Sequence, residues 1–197
     1  MQTFSLQQIE QLALKYYNIV AKAKQLAGEV DYNFYLKTAT GQAYTLKISR
    51  SNSDVDEIDF QSKIIQHLGA KTLSFDVPKV VNIKGGEAWV EIAPQQYLRL
   101  QTWIDGTMLD DWQPRNTNLL HAWGKSAAQL CAALQDFDHP HAHRSYKWNQ
   151  SETLTSKVYE EYFSSDQQKQ IAKHFWTLFE EEALPKLNTL RKSVNYN

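Results

Sequence analysis

Residues 41–49, GQAYTLKIS, decide how the first half of the chain folds. Tyr44, Leu46 and Ile48 alternate as the apolar face of a half-buried strand. Lys47 therefore falls on the opposite face with Ala43, Thr45 and Ser49. A lysine so placed either faces water or reaches into a cleft to hold something negative, and the strand alone leaves both readings open.

Working outward, residues 39–42 (ATGQ) supply the turn into this strand, and residues 19–28 (IVAKAKQLAG) and 33–39 (NFYLKTA) read as two strands before it. Ser5 is placed to cap a preceding helix, in which Ile9, Leu12 and Tyr16 share a face. Downstream, Ser53 or Asp54 can cap a helix over residues 55–69, VDEIDFQSKIIQHLG, with Gly69 as its C-cap. Three more strands follow in residues 77–83, 88–92 and 97–104, with a turn at Lys84-Gly85-Gly86.

After Asp105-Gly106 the pattern becomes helical. Leu120, Trp123, Ala127, Leu130, Leu134 and Phe137 form one stripe, and residues 167–187 resume helix through Ile171, Phe175 and Leu178. Pro140 interrupts the periodicity and makes residues 139–149 a loop. The order predicts an α+β arrangement with a boundary near residues 100–106.

Composition narrows the function. The 197 residues include 21 basic and 22 acidic side chains, a formal charge of −1, so no global field recruits nucleic acid or an acidic membrane. No apolar run nears the ~20 residues that span a bilayer, and the N-terminus lacks the pattern of a secretion signal. A single cysteine, Cys131, with apolar neighbours at helical spacing, reads as a buried inert thiol in a reducing, cytoplasmic setting. Six tryptophans scatter without a basic groove beside them, which argues against base stacking.

Three features could carry chemistry together: a glycine-bearing loop, AGEVDYNF (27–34), then the lysine strand, then a helix with a polar residue in its apolar stripe. Kinases use such parts, the loop covering ATP phosphates and the lysine neutralising them. Gly28 is one glycine rather than several, and equally suits an ordinary hairpin. Gln61 interrupts the stripe of Ile58, Ile65 and Leu68; it could bond Lys47 or simply mark the stripe's edge, with Glu57 one turn away. His139, His141 and His143 cluster, and alternate spacing could bring two of them to a metal with Asp136 and Asp138 close by, but the segment follows a helix end, where cationic side chains favour the dipole.

Read in order, residues 26–49, 57–68, 77–81, 97–106 and 137–148 resemble the aminoglycoside phosphotransferase superfamily, in its hydroxylysine kinase-like branch. Domains of that branch also occur fused ahead of class III aminotransferases. The resemblance implies a protein-kinase-like fold: an N-terminal nucleotide-binding lobe (1–100), a hinge (101–106) and a partial helical C-terminal lobe (107–197). It implies transfer of the γ-phosphate of ATP, with magnesium, to a hydroxyl of an amino alcohol, hydroxy amino acid or aminoglycoside-like acceptor. Lys47 then matches the lysine that binds the α- and β-phosphates, and Gln61 stands where related kinases place glutamate. Thr102 and Ile104 flank main-chain groups for adenine, with Trp103 packed nearby. Residues 139–149 become a structural connector.

The family's His-x-Asp-x-x-x-x-Asn catalytic loop has no counterpart before the chain closes in LRKSVNYN (190–197). Tyr196 aligns near its histidine and Asn197 just ahead of its aspartate. The resemblance thus implies a fragment cut before its catalytic residues and inactive alone, with no catalytic or metal residue to assign. The alternatives are a noncatalytic kinase-like module docking a neighbouring enzyme, and a plain ligand-binding α+β domain.

Overall fold

The computed structural model describes residues 4–109, 111–146 and 149–195. The chain forms two compact units, one of the described residues up to His141 with Val194 and Asn195, the other Ala142–Ser193.

The first unit opens with helix α1 (Leu6–Tyr17). Ser5 accepts from the Gln8 N–H, while the Gln8 side chain accepts from the Ser5 N–H, so two otherwise unpaired helix-end donors are satisfied. Asn18 ends the helix in the left-handed conformation. Strands β1 (Ala21–Leu26), β2 (Tyr32–Thr38) and β3 (Ala43–Ile48) follow as an antiparallel meander. Helix α2 (Val55–Gly69) is capped by Asp54 and continues through Gly69 to a right-handed cap at Ala70. Expected strand 77–83 shrinks to β4 (Val80–Val81), followed by β5 (Trp89–Ala93) and β6 (Gln96–Thr102).

β6 is an inner strand of this antiparallel sheet, ordered β1-β2-β3-β6, and pairs β3 along one edge and β4 and β5 along the other. One sheet face packs on α1. Ile9 and Ala13 meet Phe34, Leu36, Leu46, Ile48, Leu98 and Leu100, all at most 2% exposed. The alternation in 41–49 is thereby realised: Leu46 and Ile48 enter the core, and Lys47 stands on the other face.

Helix α3 (Thr117–Ala133) begins where expected but stops short of Leu134 and Phe137, the last residues of the expected stripe, and buries no residue; Leu120 and Trp123 remain about half exposed. Cys131 is half-buried rather than enclosed. The α2 and α3 ends are joined through His67, whose Nε2 lies 3.0 Å from the Ala133 carbonyl and 3.1 Å from Asp136.

In the second unit, a 3-10 stretch (Gln150–Tyr162) packs with α4 (Asp166–Leu178). The expected stripe is displaced: Ile171, Phe175 and Leu178 stay exposed, whereas Trp176 is buried and donates from Nε1 to Ser156 at 2.9 Å. Leu154, Val158 and Tyr162 recur at helical spacing in the 3-10 stretch, yet Val158 and Tyr162 stay exposed, so that spacing did not tell which face of α4 the stretch would cover. A π turn (Phe179–Ala183) and a 3-10 turn (Leu184–Thr189) replace the expected continuous helix. Among the described residues no helix is long and apolar enough to cross a membrane.

Candidate nucleotide site

Antiparallel register sets Lys47 directly opposite Arg99 on β6. Residues directly opposite project to one face, so two cations stand side by side where like charges repel. What makes this tolerable is Asp31, just ahead of β2. Its Oδ2 accepts from Arg99 at 2.5 Å and lies 3.5 Å from the Lys47 ammonium. Asp31 and Arg99 side chains are each 9% exposed, and that of Lys47 28%. The trio carries a formal charge of +1, displayed where it is least covered, at Lys47.

Burial draws the Lys47 pKa below the ordinary lysine range, and repulsion from Arg99 adds to this, while the Asp31 carboxylate pulls the other way.

Gln61 projects from α2 toward this cluster but does not meet Lys47. Its carbonyl accepts from Arg99 at 2.5 Å, and its amide donates to Glu57 at 2.6 Å. Glu57 also lies 3.1 Å from His141 Nε2. A continuous polar chain therefore runs Lys47, Asp31, Arg99, Gln61, Glu57, His141. Neither Asp31 nor Arg99 was anticipated. The available signal was an arginine between two leucines on a buried-looking strand, but its partner depends on register.

Gly28 lies in the loop between β1 and β2. A Cβ there would sit 2.3 Å from the Asp31 carbonyl and 2.5 Å from Asn33 Nδ2, so its need for glycine comes from close approach within the loop. At the other end of β6, Thr102 donates its N–H to the Lys79 carbonyl at 2.9 Å, and Trp103 to that of Ala43 at 3.1 Å. Trp103 packs edge-on against Tyr35. Ile104, 39% exposed, is the first connector residue whose N–H is not engaged among the described residues.

A small cavity of about 10 Å³, room for a single water, adjoins Lys47, Arg99, Ser62, Ile65 and Gln101. A larger open groove of about 630 Å³ lies elsewhere, between α1 and the β1–β2 strands, lined by Leu14, Val20 and Thr38 among others. Glu10, Lys22 and Lys37 also line that groove, but Lys22 pairs with Glu10 at 3.3 Å with its side chain 89% exposed, whereas the charges of the Lys47 face are largely buried, where they are screened least.

The histidine segment turns inward. His139 Nε2 lies 3.1 Å from Asp59, and the His141 N–H donates to His139 Nδ1 at 3.1 Å. Ligand atoms of Asp54, Asp56 and His141 come within 4.8 Å of one another. Magnesium favours all-oxygen coordination, and His141 is already turned to Glu57, so this group does not fit that ion. Tyr196 and Asn197, the expected approach to a catalytic loop, lie outside the described residues.

The pattern described as "Phosphotransferase enzyme family" matches residues 22–194. Hydroxylysine kinase of Mus musculus is 27% identical over 90% of this chain and 52% of its own length. Among solved structures, amicoumacin kinase hAmiN in complex with AMP-PNP, Ca2+ and Ami superposes with a TM-score of 0.63. It is 20% identical, over 96% of this chain and 55% of that one. A microcompartment-associated aminopropanol kinase gives 0.55 at 18% identity, over 72% of this chain and 44% of its own. These likenesses establish a kinase-like fold. The chain spans about half the length of the relatives it matches.

Proposed function

Because the chain belongs to the phosphotransferase enzyme family, we propose that it forms the nucleotide-binding part of a kinase that phosphorylates a small-molecule hydroxyl. Its nucleotide is ATP, taken as a complex with a divalent cation. The observation that carries this reading is the Lys47 ammonium: partly buried on the sheet face away from the core, held by a carboxylate, with one formal positive charge in excess.

In this reading Lys47 neutralises oxygens of the α- and β-phosphates, lowering the cost of drawing negative charge toward the transferred group. Its long stem delivers a compact charge to that point. The loop carrying Gly28 lies over the phosphates, and the Ile104 N–H is available to an adenine acceptor. Gln61 acts through Arg99 rather than on the nucleotide. The ion supplies charge neutralisation between phosphates; no residue among those described is assigned to hold it. The acceptor belongs to the class named by the relatives, small molecules bearing amine and hydroxyl groups.

Thermal denaturation with and without ATP and Mg2+ tests the reading, since a ligand of the native state raises its stability. The unsubstituted chain is expected to gain several degrees at millimolar ATP, and Lys47→Met to gain none. An equal gain in Lys47→Met would overturn the assignment.

A further inference from the structure

We propose that Asp31 is the positioning residue for Lys47, a loop carboxylate doing what a helix carboxylate would otherwise do, and that Arg99 and Gln61 hold Asp31 for that task. The inference rests on the nucleotide-binding reading above.

Among the described residues, helix α2 offers Lys47 no ion-pair partner. At the polar position of its stripe stands Gln61, an uncharged amide spent on Arg99 and Glu57. The nearby acid, Glu57, is turned to Gln61 and His141. Asp31 is instead the ion-pair partner of Lys47, and it is buried to an extent that an ordinary turn aspartate is not.

Holding it there takes an arrangement of its own. Arg99 donates one nitrogen to Asp31 and another to Gln61, each at 2.5 Å, which fixes the guanidinium plane from two sides. Its remaining Nε is buried and has no partner among the described residues, so Arg99 is kept in place for these two contacts despite leaving a donor unsatisfied. The glycine at position 28 belongs to the same device: any side chain would strike the Asp31 carbonyl and Asn33.

Charge bookkeeping explains why an arginine is needed as well. Asp31 with Lys47 alone would be neutral and offer phosphate little. With Arg99 saturating the carboxylate, Asp31 can orient Lys47 while one positive charge remains uncompensated at the exposed end. One consequence is mechanical: the glycine-bearing loop and the phosphate-binding lysine are tied together, so ordering the loop and setting the lysine are a single event.

Titration calorimetry of the intact chain with ATP and Mg2+, paired with the pH profile of Lys47 acylation read by mass spectrometry, tests this. Asp31→Asn is expected to weaken ATP binding about tenfold, in the range seen when groups orienting a binding residue are removed. Asp31→Glu should recover most of the affinity. The acylation midpoint of Lys47 should move to lower pH in Asp31→Asn, a shift that a purely structural role would not produce. Unchanged or tighter binding in Asp31→Asn, with binding lost in Lys47→Met, overturns the inference and leaves the proposed function standing. Absence of ATP binding by the unsubstituted chain overturns the proposed function, and this inference with it. Should Asp31→Asn not fold, Gly28→Ala displaces the loop without removing charge. Weakened binding and a lowered midpoint then support the inference; unchanged values overturn it.

Discussion

Asp31 and Arg99 are joined at 2.5 Å on the side of the sheet that faces α2, 68 residues apart in sequence and each less than a tenth exposed. The strand lysine is organised around that pair, so its energetics decide how the site responds to change.

Truncating the arginine leaves the carboxylate buried beside a single, more distant ammonium and strips the Gln61 carbonyl of its donor. Arg99→Ala is therefore expected to destabilise the fold by about 3–5 kcal/mol, the usual cost of orphaning one member of a buried pair. Urea denaturation measures it. A loss below about 1 kcal/mol would mean the pair is far better solvated than its burial implies.

Lys47 behaves in the opposite sense. Its folded pKa lies below that of the unfolded chain, so between the two values the unfolded state binds more protons and stability rises with pH. Lys47→Met removes the charge that burial and Arg99 disfavour. Its melting temperature should match or exceed that of the unsubstituted chain, and the rise in stability across that alkaline window should flatten. Calorimetric scans over alkaline pH provide the comparison.

Two leucines separate pattern from burial. Leu46 is fully enclosed and Leu120 is 49% exposed. Leu46→Ala should cost about 2–5 kcal/mol through lost transfer energy and the cavity left behind, whereas Leu120→Ala should stay within about 0.5 kcal/mol. Equal losses in a denaturation experiment on this chain would contradict the exposed face of α3.

Asp136 ties the α2 and α3 ends. A hydrogen bond from Lys71, at 2.5 Å, is the main cause holding its carboxyl below the usual range. Its folded pKa is depressed, so the stabilisation is present above the ordinary aspartate range and is lost as pH falls through the folded value. Asp136→Asn should therefore lower the urea midpoint at neutral pH. The gap from the unsubstituted chain should close in acid. A gap that persists at the lowest pH would assign the effect to packing rather than to charge.

Much of this was legible in residue order. A period of two in residues 43–48 puts Leu46 in the core and Lys47 opposite, because successive side chains of a strand must alternate. Ser5 and Asp54 announce helix starts because their short oxygens reach the free N–H groups of the first turn. α3 was legible as a helix from its period, but a stripe states only which residues could be buried together. Burial needs a partner surface, and neither Leu120 nor Trp123 has one that encloses it among the described residues. The apolar spacing of the 3-10 stretch before α4 marks Val158 and Tyr162, which are exposed, so the burial of Trp176 was hidden.

By itself, then, the order of residues determined the first helix, the strands around Lys47 and helix α2, the inward face of the sheet and the lysine's side of it, since these follow from local periodicity and capping. Which groups Lys47 would meet was settled by strand register and loop return: these bring Arg99 opposite it and Asp31 between them, while Gln61 goes to the arginine. Local rules cannot supply that, because ion pairs form between groups adjacent in space, and adjacency across 68 residues exists only once the sheet has closed.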